Sequence, residues 1–240
     1  MRKLITQFTA FTILILHGAF LPVIASGVPL SPFKATYSLT KEGTEVGLAH
    51  YELSKIDHTW WRYSATSEIT GWLSYVVDAD VTEQSIWRWN NGHMQVREYR
   101  YDQTGREKHV KLYFDWEKQR VTNDIDGDRW KMNILDGTLD KLSVNLALMA
   151  HMKQHQSNTS FAVADGGKLK TYIFNVAGKE MIETPLGHIS CIKIKRNKRG
   201  RAKNKETTMW LAPSLNYLIV KLEKKNRDGD SMLLQIQSLN

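Results

Sequence analysis

Residues Asp136–Gln156 read DGTLDKLSVNLALMAHMKQHQ. Leu142, Leu146 and Met149 recur there at helical spacing. Val144, Leu148 and Met152 do the same on a neighbouring face, and Ala147 and Ala150 fill the gaps. A surface helix carries one apolar stripe, whereas a helix that is apolar nearly all the way round is buried. The spacing therefore predicts a buried helix over about 138–154. Thr138 or Asp136 is its candidate N-cap, and Asp140 falls in the first turn, where a negative charge suits the helix dipole.

No other long helical pattern occurs. On both sides of this stretch apolar and polar residues alternate with a period near two, as in half-buried strands. Phe33, Ala35, Tyr37 and Leu39 begin the series; Tyr172, Phe174 and Val176 belong to its second half. Turn residues divide these runs at short, regular intervals: Glu42-Gly43, Asp57-His58, Asn91-Gly92, Asp126-Gly127, Gly166-Gly167, Gly178-Lys179 and Pro185-Leu186-Gly187. The expected fold is mainly β: a curved antiparallel sheet forming a roll or incomplete barrel around one central buried helix. By architecture alone that shape resembles the carriers that shuttle lipoproteins across the periplasm, and a shared fold does not settle function.

The amino end has the layout of a secretory signal. Basic Met1-Arg2-Lys3 is followed by an apolar run from Leu4 to Ile24 and by small residues at Val23-Ile24-Ala25. Residues 1–25 are read as a signal peptide, with Ser26 as the new first residue. A retained anchor is the competing reading, since the run approaches the ~20 residues a span requires. Gln7, His17, Gly18 and Pro22 count against it. The mature chain, 26–240, is expected to be a single β-rich domain exported to a bacterial periplasm. Its one cysteine, Cys191, forbids an internal disulfide and a cysteine-rich zinc site.

The formal net charge is +8, and the basic residues are not spread evenly. Arg196, Lys198, Arg199, Arg201, Lys203 and Lys205 fall within RNKRGRAKNK, without an acid, between two strand patterns. The run reads either as an exposed tip contacting anionic lipid headgroups or as a solvated loop that keeps a strand edge from pairing. Nucleic acid is disfavoured for an exported chain whose aromatics do not interleave with these cations. Of eight tryptophans, Trp61, Trp72, Trp87 and Trp89 are the candidates for lining a ligand pocket, with Trp72 nearest its mouth; cross-strand packing is the plainer role of such residues.

No pattern names a reaction. His151 and His155 at i, i+4 could face one metal, but Met152 stands where a zincin needs Glu, and no third ligand is suggested. Asp124, Asp126 and Asp128 have a calcium-loop rhythm, yet Gly127 and Leu135 are wrong for one, and an aspartate-rich turn fits better. There is no G-x-S-x-G. Cys191 sits in the alternation ISCIKIK and reads as a packed thiol. No catalytic residue, metal ligand or cofactor is assigned.

Four ordered blocks, LDKLSVNLAL (139–148), FAVADGGKLKTYIFNVAGKE (161–180), ETPLGHISCIKIKR (183–196) and TTMWLAPSLNYLIVKLE (207–223), resemble the bacterial envelope family known as domain of unknown function 3108. The amino half agrees more loosely, through FKATYSLTKEGTEVGLAHYEL and VKLYFDW. Ile219 stands where members often carry proline. The resemblance implies a secreted β-rich protein and no mechanism. The expected function is a non-enzymatic periplasmic protein binding an apolar or amphipathic envelope ligand. The alternatives are a structural or adaptor protein holding another envelope protein through its loops, and an unrecognised hydrolase in which His188, Cys191 and Asp165 converge.

Overall fold

A computed structural model describes residues 30–70, 80–105, 108–198, 206–225 and 231–240. The segment read as a signal, Trp72 with its GWLSY stretch, and Arg199, Arg201, Lys203 and Lys205 lie outside these residues.

The strands are β1 (Phe33–Lys41), β2 (Thr44–Lys55), β3 (Trp61–Ile69), β4 (Val81–Asn90), β5 (His93–Gln103), β6 (Lys108–Asp115), β7 (Arg120–Ile125), β8 (Asp128–Asn133) and β9 (Leu139–Asp140). Helix α1 (Ser143–Gln154) follows. Then come β10 (Thr159–Asp165), β11 (Lys168–Thr184), β12 (Gly187–Lys198), β13 (Glu206–Ala212), β14 (Leu218–Lys225) and β15 (Ser231–Leu239). They form one sheet in the order β8-β7-β6-β5-β4-β3-β2-β1-β15-β14-β13-β12-β11-β10-β9. Every neighbouring pair is antiparallel except β9 with β10.

This order forces the sheet to curl. Laid flat, its fifteen strands would put the edges about 65 Å apart at ~4.8 Å per strand. Yet the edge strands β8 and β9 are consecutive in the chain, and the link from Asn133 to Leu139 reaches only about 20 Å. The edges must nearly meet. They do not pair, so the sheet stays open, and side chains bridge the gap instead. Trp130 Nε1 on β8 donates to Gly167 O at the β10–β11 turn (3.4 Å). Inside the curl, Ser85 Oγ on β4, four strands in from the β8 edge, donates to Asp140 Oδ2 on β9 (2.6 Å).

Gly167 has φ +70°, and a Cβ there would fall inside the Trp130 indole. Gly167→Ala is therefore expected to cost about 2–3 kcal/mol, part of it the left-handed backbone and the rest the displaced ring. Denaturation midpoints test this. The loss should shrink toward the backbone component in a Trp130→Ala background, because the two residues touch.

Turns alternate between two rims. The β1–β2, β7–β8 and β10–β11 turns lie at the rim called upper here; the β2–β3, β4–β5 and β11–β12 turns lie at the lower one. Asn91-Gly92 (φ 49° and 78°) and Asp126-Gly127 (φ 53° and 94°) have positive φ at both central positions. That is the type I′ geometry whose twist matches paired strands. Gly178-Lys179 differs from its sequence reading. β11 does not end there but runs on to Thr184, with a bulge between Val176 and Gly178. Glycine at φ 123° lets the long strand bend without stopping.

The helix begins later than its apolar pattern suggests, because Leu139 and Asp140 pair with Val163 and Ala164. Thr138 Oγ1 is taken up by Leu135, so Thr138 caps nothing. Asp140 does that work from two residues upstream of the cap position: its Oδ1 accepts from the Leu142 and Ser143 amides at 2.7 and 2.8 Å. Val144, Leu146, Leu148 and Met152 are completely buried. No helix among the described residues is long and apolar enough to cross a membrane.

Candidate functional site

Arg196 was expected on an exposed tip and is not there. β12 continues to Lys198, so Arg196 sits within the strand, paired with Thr207 of β13. Its guanidinium donates to Thr207 Oγ1 (3.0 Å) and lies 4.8 Å over the Tyr172 ring. Among the described residues no carboxylate lies within ion-pairing distance of it. Asp165, the acid whose charge it feels, already accepts from Lys170 Nζ (2.8 Å) and Tyr172 OH (2.9 Å). Burial pushes the Arg196 pKa down, the sign of a cation short of solvent.

This side chain forms one wall of a cavity of about 290 Å³ near the upper rim, together with Glu83, Lys141, Tyr172, Thr207 and Lys225. Several of these residues have partners of their own. Glu83 accepts from Tyr99 OH (3.0 Å), Lys141 lies over the Tyr101 ring, and Lys225 pairs with Glu223. Inward, the cavity meets a small apolar space of about 30 Å³ bounded by Tyr37, Tyr63, Met149, Leu218 and Ile219. Tyr51, Asn145, Leu222 and Leu234 border both. Asn145 Oδ1 is buried and has no hydrogen-bond partner among the described residues. The whole is a cleft between α1 and the sheet, lined outside by four basic side chains against two acids, Glu83 and Glu206, and apolar within.

The tryptophans separate. Trp87 is completely buried, stacked on Trp61 (5.7 Å between centroids, 14° between planes) and meeting Trp89 edge-on at 5.5 Å. Its visible role is packing. Trp89 lines a second cavity, of about 330 Å³ at the lower rim, with His93, Met94, Ala150, His151 and Phe161. Trp61 is half-buried beneath Lys55 Nζ.

The hydrolase set does not assemble. Asp165 lies opposite Lys168 and Cys191 opposite Glu180 on the same strand, β11, about 40 Å apart along it at ~3.3 Å per residue. Cys191 is buried and its thiol is pushed up to about 11 by burial, first, and by the Glu180 charge. His188 is exposed at the far turn. The His151 and His155 rings lie 5.0 Å apart, and His151 Nε2 faces Ser157 O (3.2 Å). Among the described residues, no three His, Cys, Asp or Glu side chains gather to hold a metal. The aspartates of the β7–β8 hairpin are engaged locally: Asp124 with Arg129 (2.7 Å), and Asp126 Oδ1 with the His109 amide (2.6 Å).

Tyr51, Glu83, Lys141, Asn145 and Tyr172 carry the cleft and were not singled out from sequence. Lys141 lies in the turn between β9 and α1 and the others occupy ordinary strand or helix positions, and only the curl of the sheet brings them together.

No curated protein matches the chain. Among solved structures, a β-barrel-like protein of domain of unknown function DUF1849 from Brucella abortus is similar at TM-score 0.56 and 12% identity, over 89% of this chain and 98% of that one. A protein with a YmcC-like fold from Bacteroides fragilis aligns at TM-score 0.33 and 12% identity, over 87% and 95% of the two chains. The hypothetical lipoprotein YmcC from Escherichia coli aligns at 0.30 and 9%, over 87% and 85%. The first likeness shows a shared β-barrel-like fold and nothing of function. The family model described as protein of unknown function (DUF3108) matches residues 33–235, the whole span from β1 into β15, and the chain therefore belongs to the DUF3108 family.

Proposed function

We propose that the protein is a non-enzymatic binder of single-chain anionic amphiphiles in the bacterial envelope. The observation that carries this reading is Arg196: a half-buried guanidinium without a carboxylate partner, on the wall of a cavity whose inner end is tyrosine, leucine and methionine. A cation in that setting gains most from an anion that arrives with its own apolar tail, because the head replaces lost solvent and the tail lies along the apolar side chains that border both spaces. Helix α1 acts as a plug inside the curled sheet, giving the cleft a rigid inner wall through Asn145 and Met149. The unpartnered Asn145 oxygen supplies an acceptor for a ligand hydroxyl.

Decanoate, decyl phosphate and decanol share a chain length class and differ in the head, which makes them suitable probes. Calorimetric titration should show the two anions binding and decanol binding at least tenfold more weakly, since a hydrogen-bonded charge contributes about 1.5–3 kcal/mol. Arg196→Gln should erase that preference while leaving decanol unchanged. Equal affinity for decanol and decanoate, or binding of none of the three, overturns the reading.

A further inference from the structure

At the lower rim, far from that cleft, the end of the β2–β3 hairpin carries an unusual association of aromatics and cations. Trp60 and Trp61 are consecutive, so their side chains leave opposite faces of the sheet. On one face Trp60 is flanked by two guanidiniums, Arg88 at 5.0 Å and Arg97 at 4.7 Å from its ring centroid. On the other, Lys55 Nζ lies 5.1 Å over Trp61. Between them, at the turn itself, Ile56 is exposed.

Local geometry builds this arrangement. β4 and β5 slip register between Ile86 and Trp87: Val96 faces Trp87, Glu98 faces Ile86, and Arg97 is the extra residue of the bulge. Bulges re-aim a side chain, and here the bulged residue joins Arg88 over one indole. Arg88 is held there by Gln95 Oε1. Among the described residues neither arginine has a carboxylate within ion-pairing distance. The acid of the turn, Asp57, spends one carboxylate oxygen on the Thr59 and Trp60 amides (2.7 and 2.8 Å), which fixes the turn that presents Ile56 and Trp60. Three cations against one internally bonded acid leave the tip positive.

An exposed aliphatic tip, two half-buried indoles and surrounding cations are the elements of a membrane-interface anchor. The aliphatic enters the acyl boundary, indoles settle at headgroup depth, and the cations meet lipid phosphates. We infer that the β2–β3 tip, with Arg88 and Arg97, docks the protein on an anionic bilayer surface. The amphiphile cleft lies at the opposite rim, so a docked molecule presents that cleft to the aqueous side. The docking does not depend on what the cleft binds.

Sedimentation of the protein with vesicles tests it, comparing phosphatidylcholine alone with phosphatidylcholine mixed with phosphatidylglycerol. Binding should require phosphatidylglycerol and weaken with added salt. Arg88→Gln and Arg97→Gln should each reduce it about fivefold, the contribution of one basic side chain at an anionic surface. Ile56→Asn should reduce it without altering the salt dependence, and Arg196→Gln should leave it intact. Equal binding to both vesicle types overturns the inference. So does full retention in the Arg88→Gln/Arg97→Gln double variant, or displacement by inorganic phosphate at matched ionic strength, which would mark a site for free phosphate. Circular dichroism melting of each variant separates loss of docking from loss of fold.

Discussion

Leu146→Ala and Leu148→Ala are each expected to lower stability by about 3 kcal/mol, within the range for deleting a wholly buried leucine side chain. In a chain of this size that amounts to a fall in Tm of roughly 6–12 °C. The prediction lies in the pair. Two residues apart on an α-helix, the side chains point about 200° from one another, so on a surface helix one of them would meet water and its truncation would go nearly unnoticed. Both have no exposed surface here. Asn145 and Met149 border the tyrosine-lined space, whereas Ala147 and Ala150 border the cavity that holds Trp89 and Met94. The helix thus has sheet residues on more than one side. Guanidinium denaturation of the two variants measures the losses directly. A large loss from one and a loss under ~1 kcal/mol from the other would mean a helix lying on a surface, and would remove the inner wall of the proposed cleft.

The apolar circumference of α1 was legible because it is a local property, written in twelve consecutive residues. So were most hairpins: Asn91-Gly92 and Asp126-Gly127 announce backbone that few other pairs adopt so readily, and both take it. What the sequence leaves hidden is non-local. Nothing in VADGGKLKTYIFNVAGKE distinguishes a glycine that ends a strand from one that bends it, and Gly178 bends it. Pairing of Leu139 and Asp140 with β10 shortens the helix, and that partner is more than twenty residues downstream. The site was legible least. Alternation tells which face of β12 Arg196 occupies, but not that Tyr172 lies beneath it or that Glu83, from the other half of the chain, stands across the cavity. The basic run drew notice to Arg196 for its neighbours' sake. What makes it a candidate anchor is that β12 outlasts the apolar alternation and sets it beside Thr207 and the Tyr172 ring.

Asp140→Ala is expected to be as damaging as any core truncation, about 3–5 kcal/mol, and Asp140→Asn far less so. The carboxylate is completely buried. It accepts from the Leu142 and Ser143 amides at the start of α1 and from Ser85 Oγ on β4. Alanine would strand three buried donors, each costing about 1–3 kcal/mol. Asparagine keeps an oxygen for the two amides, and its amide nitrogen can donate to Ser85 Oγ. The pH dependence tells the two roles of this group apart. Burial, the dominant influence, holds the Asp140 carboxyl above its ordinary value, and the hydrogen bonds from Ser85 and the Ser143 and Leu142 groups oppose it. As pH rises through the ordinary value of 3.8, the unfolded chain releases its proton while the native one retains it. This group's contribution to stability therefore falls with rising pH until the native carboxyl ionises. Carboxylates held below their ordinary range, such as Glu206 beside Lys195, act in the opposite direction and mask the effect in the wild type alone. The difference between Asp140→Asn and wild type isolates it: relative to wild type, the variant should gain stability as pH rises from acid to neutral. A variant that instead loses stability relative to wild type as pH rises, or one as unstable as Asp140→Ala, would mean that the charge itself, and not the hydrogen-bonding shape around it, ties β4 to the helix; a difference that stays constant would mean that burial does not hold the carboxyl above its ordinary value.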